Sequence, residues 1–345
     1  RSNNVKISVV RDPNGKKHNV SFPWSNTGAV TSHSKVFSET GTYYIKVTAT
    51  DKAGNTAASK SHKFTVDRVK PVITIKNVKN SAYGKKDKVQ PIVNIFDNYY
   101  SSSQINLVRN ENNAKNVGRK FNKTAYGGKM IFEDFPKKES YDGIYNLTIT
   151  VKDKAGNTAK KNVKFSVNRF GSTYKYNKII KQLISDKYVK EINGDLVITE
   201  YNISNVKSFT DDVKQDGVMS DIKSSYEKSQ SMPYKVYKHT FKASDFDSEG
   251  IYSINTVSKD ALGNVSESQK KTGKITFSVD KTAPNVTLSE DIDNGSFNAN
   301  RLNVSAKVLD SVSPASTEVF VNGKRAVDKD FNKNSGEVVF TVPEG

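Results

Sequence analysis

The chain reads as all-β, a run of antiparallel β-sandwiches joined end to end, with a short helix where the third begins. Three observations predict this. A motif of the form Gly-x-Tyr, alternating strand, Asp-turn-Gly-Asn occurs three times, starting at Gly41, Gly143 and Gly250. A closing Phe-x-Val element follows each copy, at Phe64, Phe165 and Phe277. The copies start about a hundred residues apart, the length of one small sandwich domain.

Each piece of the motif has a physical reading. Tyr145, Leu147, Ile149 and Val151 alternate with polar residues, as do Tyr43, Ile45, Val47 and Ala49. Period two is the mark of a strand buried on one face. The Asp-Lys-Ala-Gly-Asn segments at 51–55 and 153–157, and Asp-Ala-Leu-Gly-Asn at 260–264, then reverse the chain. Gly tolerates positive φ, and Asp and Asn bond nearby backbone groups, so a hairpin loop is expected. The return strand carries Val163, Phe165 and Val167 on one side. Tyr43, Tyr145 and Tyr252 stand where a tyrosine corner pins the crossover between sheets, its phenol bonded back to the main chain.

The repeats place domains at 1–69, 70–168, 169–283 and 284–345, with short joins at 68–71, 169–172 and 281–284. Two joins end in proline, Pro71 and Pro284, which restricts the preceding residue. The third contains Gly171 instead and is expected to be looser. The third domain diverges in two ways. Its inward positions after Ile254 become Thr256 and Ser258, which predicts a bulge or an altered inner face. Its entry holds Ile179, Ile180, Leu183 and Ile184 at helical spacing. In the fourth segment, Leu302, Val304, Ala306 and Val308 alternate up to Asp310, much as Val89 to Ile95 lead to Asp97. No Gly-x-Tyr motif follows before Glu344-Gly345, so the chain reads as a fragment that closes mid-pattern.

These residues resemble the bacterial Ig-like repeats of cell-surface proteins from Gram-positive, especially gut clostridial, bacteria. The Tyr strand, the Asp-Lys-Ala-Gly-Asn turn and the Phe-x-Val-Asp-x-x-x-Pro join carry the likeness, which covers nearly the whole chain. The resemblance implies tandem Ig-like sandwiches and an extracellular or cell-wall location. It supplies no catalytic residue. Such arrays serve as adhesins, as stalks and as accessory regions of secreted carbohydrate-active enzymes, because fold does not fix function.

Composition narrows the chemistry. The 345 residues include no Cys, which removes thiol nucleophiles, thiolate metal sites and disulfides. That fits either the cytosol or a Gram-positive surface. No apolar run is long enough to span a membrane. Mean hydropathy is −0.64, yet 17 Phe and 16 Tyr provide material for several small cores. His18, His33, His62 and His239 are not at ligand spacing, and no phosphate loop is present. One Asp per turn is too few for calcium's six to eight oxygens unless a neighbouring domain contributes. The acidic loops Asp245/Asp247/Glu249 and Asp291/Asp293 read as solvated. No catalytic, cofactor or metal residue is therefore assigned, and the chain is expected to be non-enzymatic.

Net charge is +18, unevenly spread: +7, +11, +3 and −3 over the four segments in order. The excess is mostly Lys and lacks a base-reading motif, so a solvated face or attraction to anionic glycans is expected rather than nucleic acid. Tyr226, Tyr234 and Tyr237, close to Met232 and His239, form the candidate binding region, since Tyr is enriched at recognition surfaces. The expected partner is a host glycoprotein or glycan, such as a mucin or an immunoglobulin. A passive spacer and an enzyme's accessory region are the alternatives.

Overall fold

The structure is a computed structural model describing residues 4–12, 18–19, 37–110, 117–288, 292, 295–298, 301–331 and 334–343. His33, Asp291, Asp293, Glu344 and Gly345 lie outside these. The chain divides into two compact units. One comprises Arg1–Ser81, Lys88–Pro136 and Ile144–Phe165; the other comprises Ala82–Asp87, Lys137–Gly143 and Ser166–Gly345.

Strands dominate, and each Gly-x-Tyr motif opens a long central one. Gly41–Thr50 pairs antiparallel with Asn4–Asp12, with Thr56–Ala58 and with His62–Val66. Gly143–Asp153 pairs with Tyr100–Arg109, and neighbours Thr158–Val167 on its other side. A second sheet runs, in order of hydrogen-bonded neighbours, Arg119–Thr124, Gly127–Phe132, Ile92–Phe96 and Val72–Lys76. Tyr145, Leu147, Ile149 and Val151 are all buried, as their period-two spacing requires.

The same aromatic trio fills each of the first three cores. Tyr43 stacks on Phe64 at 5.3 Å, Tyr145 on Phe165 at 5.3 Å and Tyr252 on Phe277 at 5.6 Å between centroids. A third ring meets each tyrosine edge-on: Phe37, Phe135 and Phe246. Edge and offset contacts of this kind add about 0.5–1.5 kcal/mol beyond burial. The phenol of Tyr43 donates to Glu39 O and that of Tyr252 to Ser248 O, both at 2.8 Å and four residues upstream. This is the corner bond expected of them.

The third sandwich builds one sheet from Thr173–Tyr176, Leu196–Asn202, Tyr234–Phe241 and Ser225–Ser231. The other contains Tyr188–Val189, Ile275–Val279, Gly250–Asp260, Val206–Gln215 and Val218–Met219. Its entry holds the helix Lys178–Asp186, capped by Asn177, whose side chain accepts from Ile180 N. Ile180 and Leu183 of the helix sit in the core. The altered inner face is realised without a bulge at Thr256 or Ser258: both point inward and are buried.

In the fourth segment Arg301–Leu309 pairs with Asn285–Leu288 and Ser335–Pro343. Ala306, Val308, Ala315, Phe331 and Val338 form its core. Val286, at the position of buried Ile73 two repeats earlier, is 57% exposed.

Candidate functional site

Two kinds of polar chemistry stand out: clusters at the joins between sandwiches, and a buried network in the third. At the first join, Asp67 ends the closing strand, Asp97 follows Ile92–Phe96 and Asp153 opens the Asp-Lys-Ala-Gly-Asn turn. All three are buried, and one ligand oxygen from each lies within 4.8 Å of the others. Asp153 is held by Asn157, whose backbone N donates to Oδ1 at 2.8 Å and whose Nδ2 donates to Oδ2 at 2.7 Å. Asn157 Nδ2 also donates to Asp67 O at 2.9 Å, so the turn grips the incoming linker. Asp97 Oδ1 accepts from Tyr99 N at 2.6 Å, and Asp67 Oδ1 from Val69 N at 3.0 Å. Asp67 Oδ2 is buried and accepts no hydrogen bond among the described residues. Burial pushes the Asp97 carboxyl up from its usual range; the Tyr99 amide opposes this, and the nearby Asp67 and Asp153 carboxylates add to it. A cavity of about 340 Å³ opens here, lined by Thr40, Asp67, Lys70, Phe96, Asp97 and Tyr99 among others.

The second join uses the same three stations with different chemistry. Asn168 stands for Asp67, Asn202 for Asp97, and Asp260 keeps its acid. Asn168 Nδ2 lies 2.8 Å from Asn202 Oδ1, 2.7 Å from Ser204 Oγ and 2.9 Å from Asp260 Oδ2. Asn264 repeats the role of Asn157, donating to Asp260 Oδ2 at 2.9 Å and to Asn168 O at 3.0 Å. The looseness expected of the Gly171 join is corrected. Gly171 N donates to Asn168 Oδ1, Ser172 is buried, and a Cβ on Gly171 would meet Ser266 Oγ at 2.4 Å. The glycine serves close approach at positive φ, not slack. Asp142 Oδ2 accepts from Arg169 N and Phe170 N, both at 2.9 Å; burial nevertheless raises its pKa to about 6.

The acidic loop 245–249 grips the third join as well as meeting solvent. Lys281 Nζ pairs with Asp247, while Lys281 N and Thr282 Oγ1 donate to Glu249 Oε1 at 2.7 and 2.6 Å. The Thr282 hydroxyl, then the Lys281 amide, hold the Glu249 carboxyl below its usual range.

Inside the third sandwich, His239 and Glu200 are fully buried, with Nε2 3.1 Å from Oε2. Glu200 also accepts from Ser172 Oγ and, at 2.9 Å, from Ser258 Oγ. Asp211 accepts from Thr256 Oγ1 at 2.8 Å and lies 3.9 Å from His239 Nδ1. The polar inward residues Thr256 and Ser258 therefore satisfy buried carboxylates. His239, Glu200 and Asp211 are all buried, so this His–carboxylate cluster lies inside the sandwich.

The three candidate tyrosines do not share a surface. Tyr237 is 0% exposed and its hydroxyl accepts from Val206 N at 2.8 Å, which removes it from direct contact with a partner. Tyr226, on the edge strand Ser225–Ser231, is 42% exposed and stacks on Tyr237 at 5.7 Å between centroids. Tyr234 belongs to the opposite face of Tyr234–Phe241, where it meets Tyr201 edge-on at 5.8 Å. Lys175 Nζ lies 5.3 Å from the same Tyr201 ring. Tyr201 and Lys175 were not singled out from the sequence; they lie on the strands Leu196–Asn202 and Thr173–Tyr176, which the sequence analysis did not place.

No helix among the described residues is long and apolar enough to cross a membrane. Residues 2–68 and 99–169 match families described as bacterial Ig-like domain, and residues 235–330 match bacterial Ig-like domain (group 3). No curated protein matches the chain. Among solved structures, it is similar to the complex of Dpr2 Ig1-Ig2 with DIP-Theta Ig1-Ig3, at 12% identity and TM-score 0.40, over 81% of this chain and 93% of that one. A titin tandem is similar at 9% identity and TM-score 0.33, over 60% of this chain and 97% of that one. At these values the likeness carries no argument. With three copies of one strand–turn–strand core, the chain is a tandem of Ig-like β-sandwich domains, three stretches of which match bacterial Ig-like domain families.

Proposed function

We propose that this chain is a non-enzymatic binding array on the outside of a Gram-positive cell wall, an adhesin or host-factor-binding module with domains at 1–69, 70–168, 169–283 and 284–345. The observation that carries this reading is the partition of chemistry in the third domain. Its His–carboxylate cluster is sealed in the core, whereas aromatic rings and lysines are set together toward the outside. Tyr201 and Tyr234 lie with Lys175 on one sheet face, and Tyr226 lies at the edge strand. Rings that stack on sugars beside ammonium groups that attract carboxylates or sulfates suit an acidic glycoprotein. The partner class is a host glycoprotein or glycan.

The test measures binding of residues 1–345 to immobilised mucin and immunoglobulin, with Tyr201→Ala/Tyr234→Ala and Tyr226→Ala variants. Saturable binding weakened at least tenfold by one variant supports the reading. No binding at micromolar protein sinks it. A passive spacer is the second reading, supported by the joins, where Asn157 and Asn264 bond the incoming linkers. An array that binds no host glycoprotein yet keeps these joins protected from hydrogen exchange would favour the spacer.

A further inference from the structure

We infer that the second sandwich carries a binding site for an acidic glycan on the outward face of its Val72–Lys76, Ile92–Phe96, Gly127–Phe132 and Arg119–Thr124 sheet, with Phe96 and Tyr126 as the platform on which a sugar stacks. Period two sends Ile73, Val93 and Ile95 into the core and Val72, Asn94 and Phe96 away from it. Phe96 is 55% exposed, Val72 56% and Tyr126 54%. Val72 stands opposite Phe96 in register, so the two side chains are neighbours on one face. Tyr126 precedes the strand Gly127–Phe132 and brings its ring to 6.2 Å from that of Phe96, tilted by 37°. Gly127 stands opposite Phe96 on the other side and adds no side chain, so that flank of the ring stays open. Apolar side chains gathered in one exposed patch, unlike those scattered singly, mark an interaction site.

The surroundings of the patch select the occupant. About 7 Å along the strands lies a row of Thr74, Asn94, Lys129 and Asn122, joined in register across the sheet. The row beyond has Lys76 and Lys120 at its two ends. No outward position in these rows is Asp or Glu. None of the three lysines takes part in an ion pair among the described residues. Uncompensated positive charge beside hydroxyl and amide groups attracts a carboxylate or a sulfate. The apolar C–H face of a sugar ring lies on the aromatic pair, its hydroxyls meet the amides of Asn94 and Asn122, and its acid group meets Lys129. Three apolar side chains bordered by lysines are a small patch for a protein partner, whose standard interface covers about 800 Å² on each side.

The third sandwich repeats the station. Phe96 immediately precedes Asp97, and Tyr201 immediately precedes Asn202, the counterpart of Asp97. The first strand meets both in the same register, with Val72 opposite Phe96 and Thr173 opposite Tyr201. In each sandwich a tyrosine from the neighbouring hairpin meets the station ring, Tyr126 at 6.2 Å and Tyr234 at 5.8 Å. A lysine recurs as well: Lys129 stands opposite Asn94 as Lys238 stands opposite Thr199. The fourth sandwich has Leu309 at this station, before Asp310 and opposite Asn285, and Leu309 offers no ring. The site in the second sandwich rests on the proposed reading of the array as a glycan binder, and adds to it a second location that can fail by itself.

The test titrates the whole chain with three soluble probes by calorimetry: sialyllactose, a heparin-derived hexasaccharide and neutral lactose. One acidic probe should bind about tenfold or more tightly than lactose, and less tightly as salt rises. Sialyllactose as the tighter probe identifies a carboxylate, the hexasaccharide a sulfate. The chain carrying Tyr201→Ala/Tyr234→Ala reports the second sandwich by itself and should still bind. Adding Phe96→Leu/Tyr126→Ala, which removes both rings and keeps an apolar residue beside Val72, should weaken binding about tenfold or more with the far-ultraviolet spectrum unchanged. Phe96→Trp keeps a stacking ring and should bind within about threefold of the unsubstituted chain; lost binding in that folded variant counts against the platform. Binding already lost in Tyr201→Ala/Tyr234→Ala overturns the inference and leaves the third-domain site standing. Binding that survives all four substitutions overturns it too, because the glycan then sits elsewhere. Equal affinity for lactose, or no binding of either acidic probe, overturns the acidic-glycan site in the second sandwich outright.

Discussion

Removing the Asn168 side chain should open the second join locally and measurably. Asn168 is 0% exposed and its amide nitrogen reaches three acceptors. The bond to the Asp260 carboxylate is charge-assisted and contributes about 1.5–3 kcal/mol; each neutral bond contributes about 0.5–1.5 kcal/mol. The loss is not the full sum. Asp260 Oδ2 keeps Asn264 Nδ2 at 2.9 Å, and Asn202 Oδ1 keeps Ser204 N at 2.8 Å. Asn168→Ala should therefore cost about 3 kcal/mol. Asn168→Asp should cost more, about 4–5 kcal/mol at pH 7, because it removes the donor and buries a second carboxylate beside Asp260. Two such carboxylates raise one another's pKa in the folded state, so the folded chain binds more protons than the unfolded chain. Stability of Asn168→Asp must then rise as pH falls from 7 to 5, while Asn168→Ala stays nearly flat over that window. The assay is native-state hydrogen exchange on the whole chain, read at Gly171, Ser172 and Ser204, whose amides bond within this cluster. A loss of 3 kcal/mol accelerates exchange by about a hundredfold or more. Exchange within about threefold of the unsubstituted chain, in both variants, would refute the reasoning that this amide holds the join.

Four further outcomes follow from the geometry. Tyr252→Phe removes the hydroxyl bond to Ser248 O but keeps the ring stack on Phe277, so urea unfolding should show a loss of about 1 kcal/mol, against about 3–5 kcal/mol for Tyr252→Ala. Gly171→Ala forces a side chain into positive φ and against Ser266 Oγ, and should lower the melting temperature even though it removes no hydrogen bond. Asp142, with its carboxyl raised to about 6 chiefly by burial, binds its proton more tightly folded than unfolded. Its contribution is therefore most favourable below about pH 4 and declines as pH rises to about 6; Asp142→Asn should flatten that part of the stability profile. His239→Ala leaves Glu200 and Asp211 facing a buried void and should destabilise the third domain by about 3–5 kcal/mol, measured by calorimetry, whereas Tyr226→Ala at the exposed edge should cost little.

Parity explains why the three tyrosines do not share one face. Tyr234 and Tyr237 are three apart on one strand, so period two sends them to opposite faces. That much was readable from residue numbers. Which face is inside depends on Leu196–Asn202, whose inward Glu200 pairs with Tyr237 in register. Local spacing contains no information about that neighbour.

What the sequence by itself determined was everything local and repeated. Alternation placed the strands, Gly54 and Gly156 placed the turns, and the recurrence of Tyr with a following Phe placed the core stacks and the corner bonds. These depend on contacts within a strand pair, whose register the short turn sets. What only the tertiary structure decided was the chemistry of the joins. Asp67, Asp97 and Asp153 are 30 and 56 positions apart, each unremarkable as a turn or linker residue. Folding two sheets against each other and docking one sandwich on the next brings their oxygens within 4.8 Å. The same step separates them from Asn168, Asn202 and Asp260, which occupy identical stations with an amide at the centre. Charge becomes expensive only when burial removes water, and burial across a join is a property of the assembled domains.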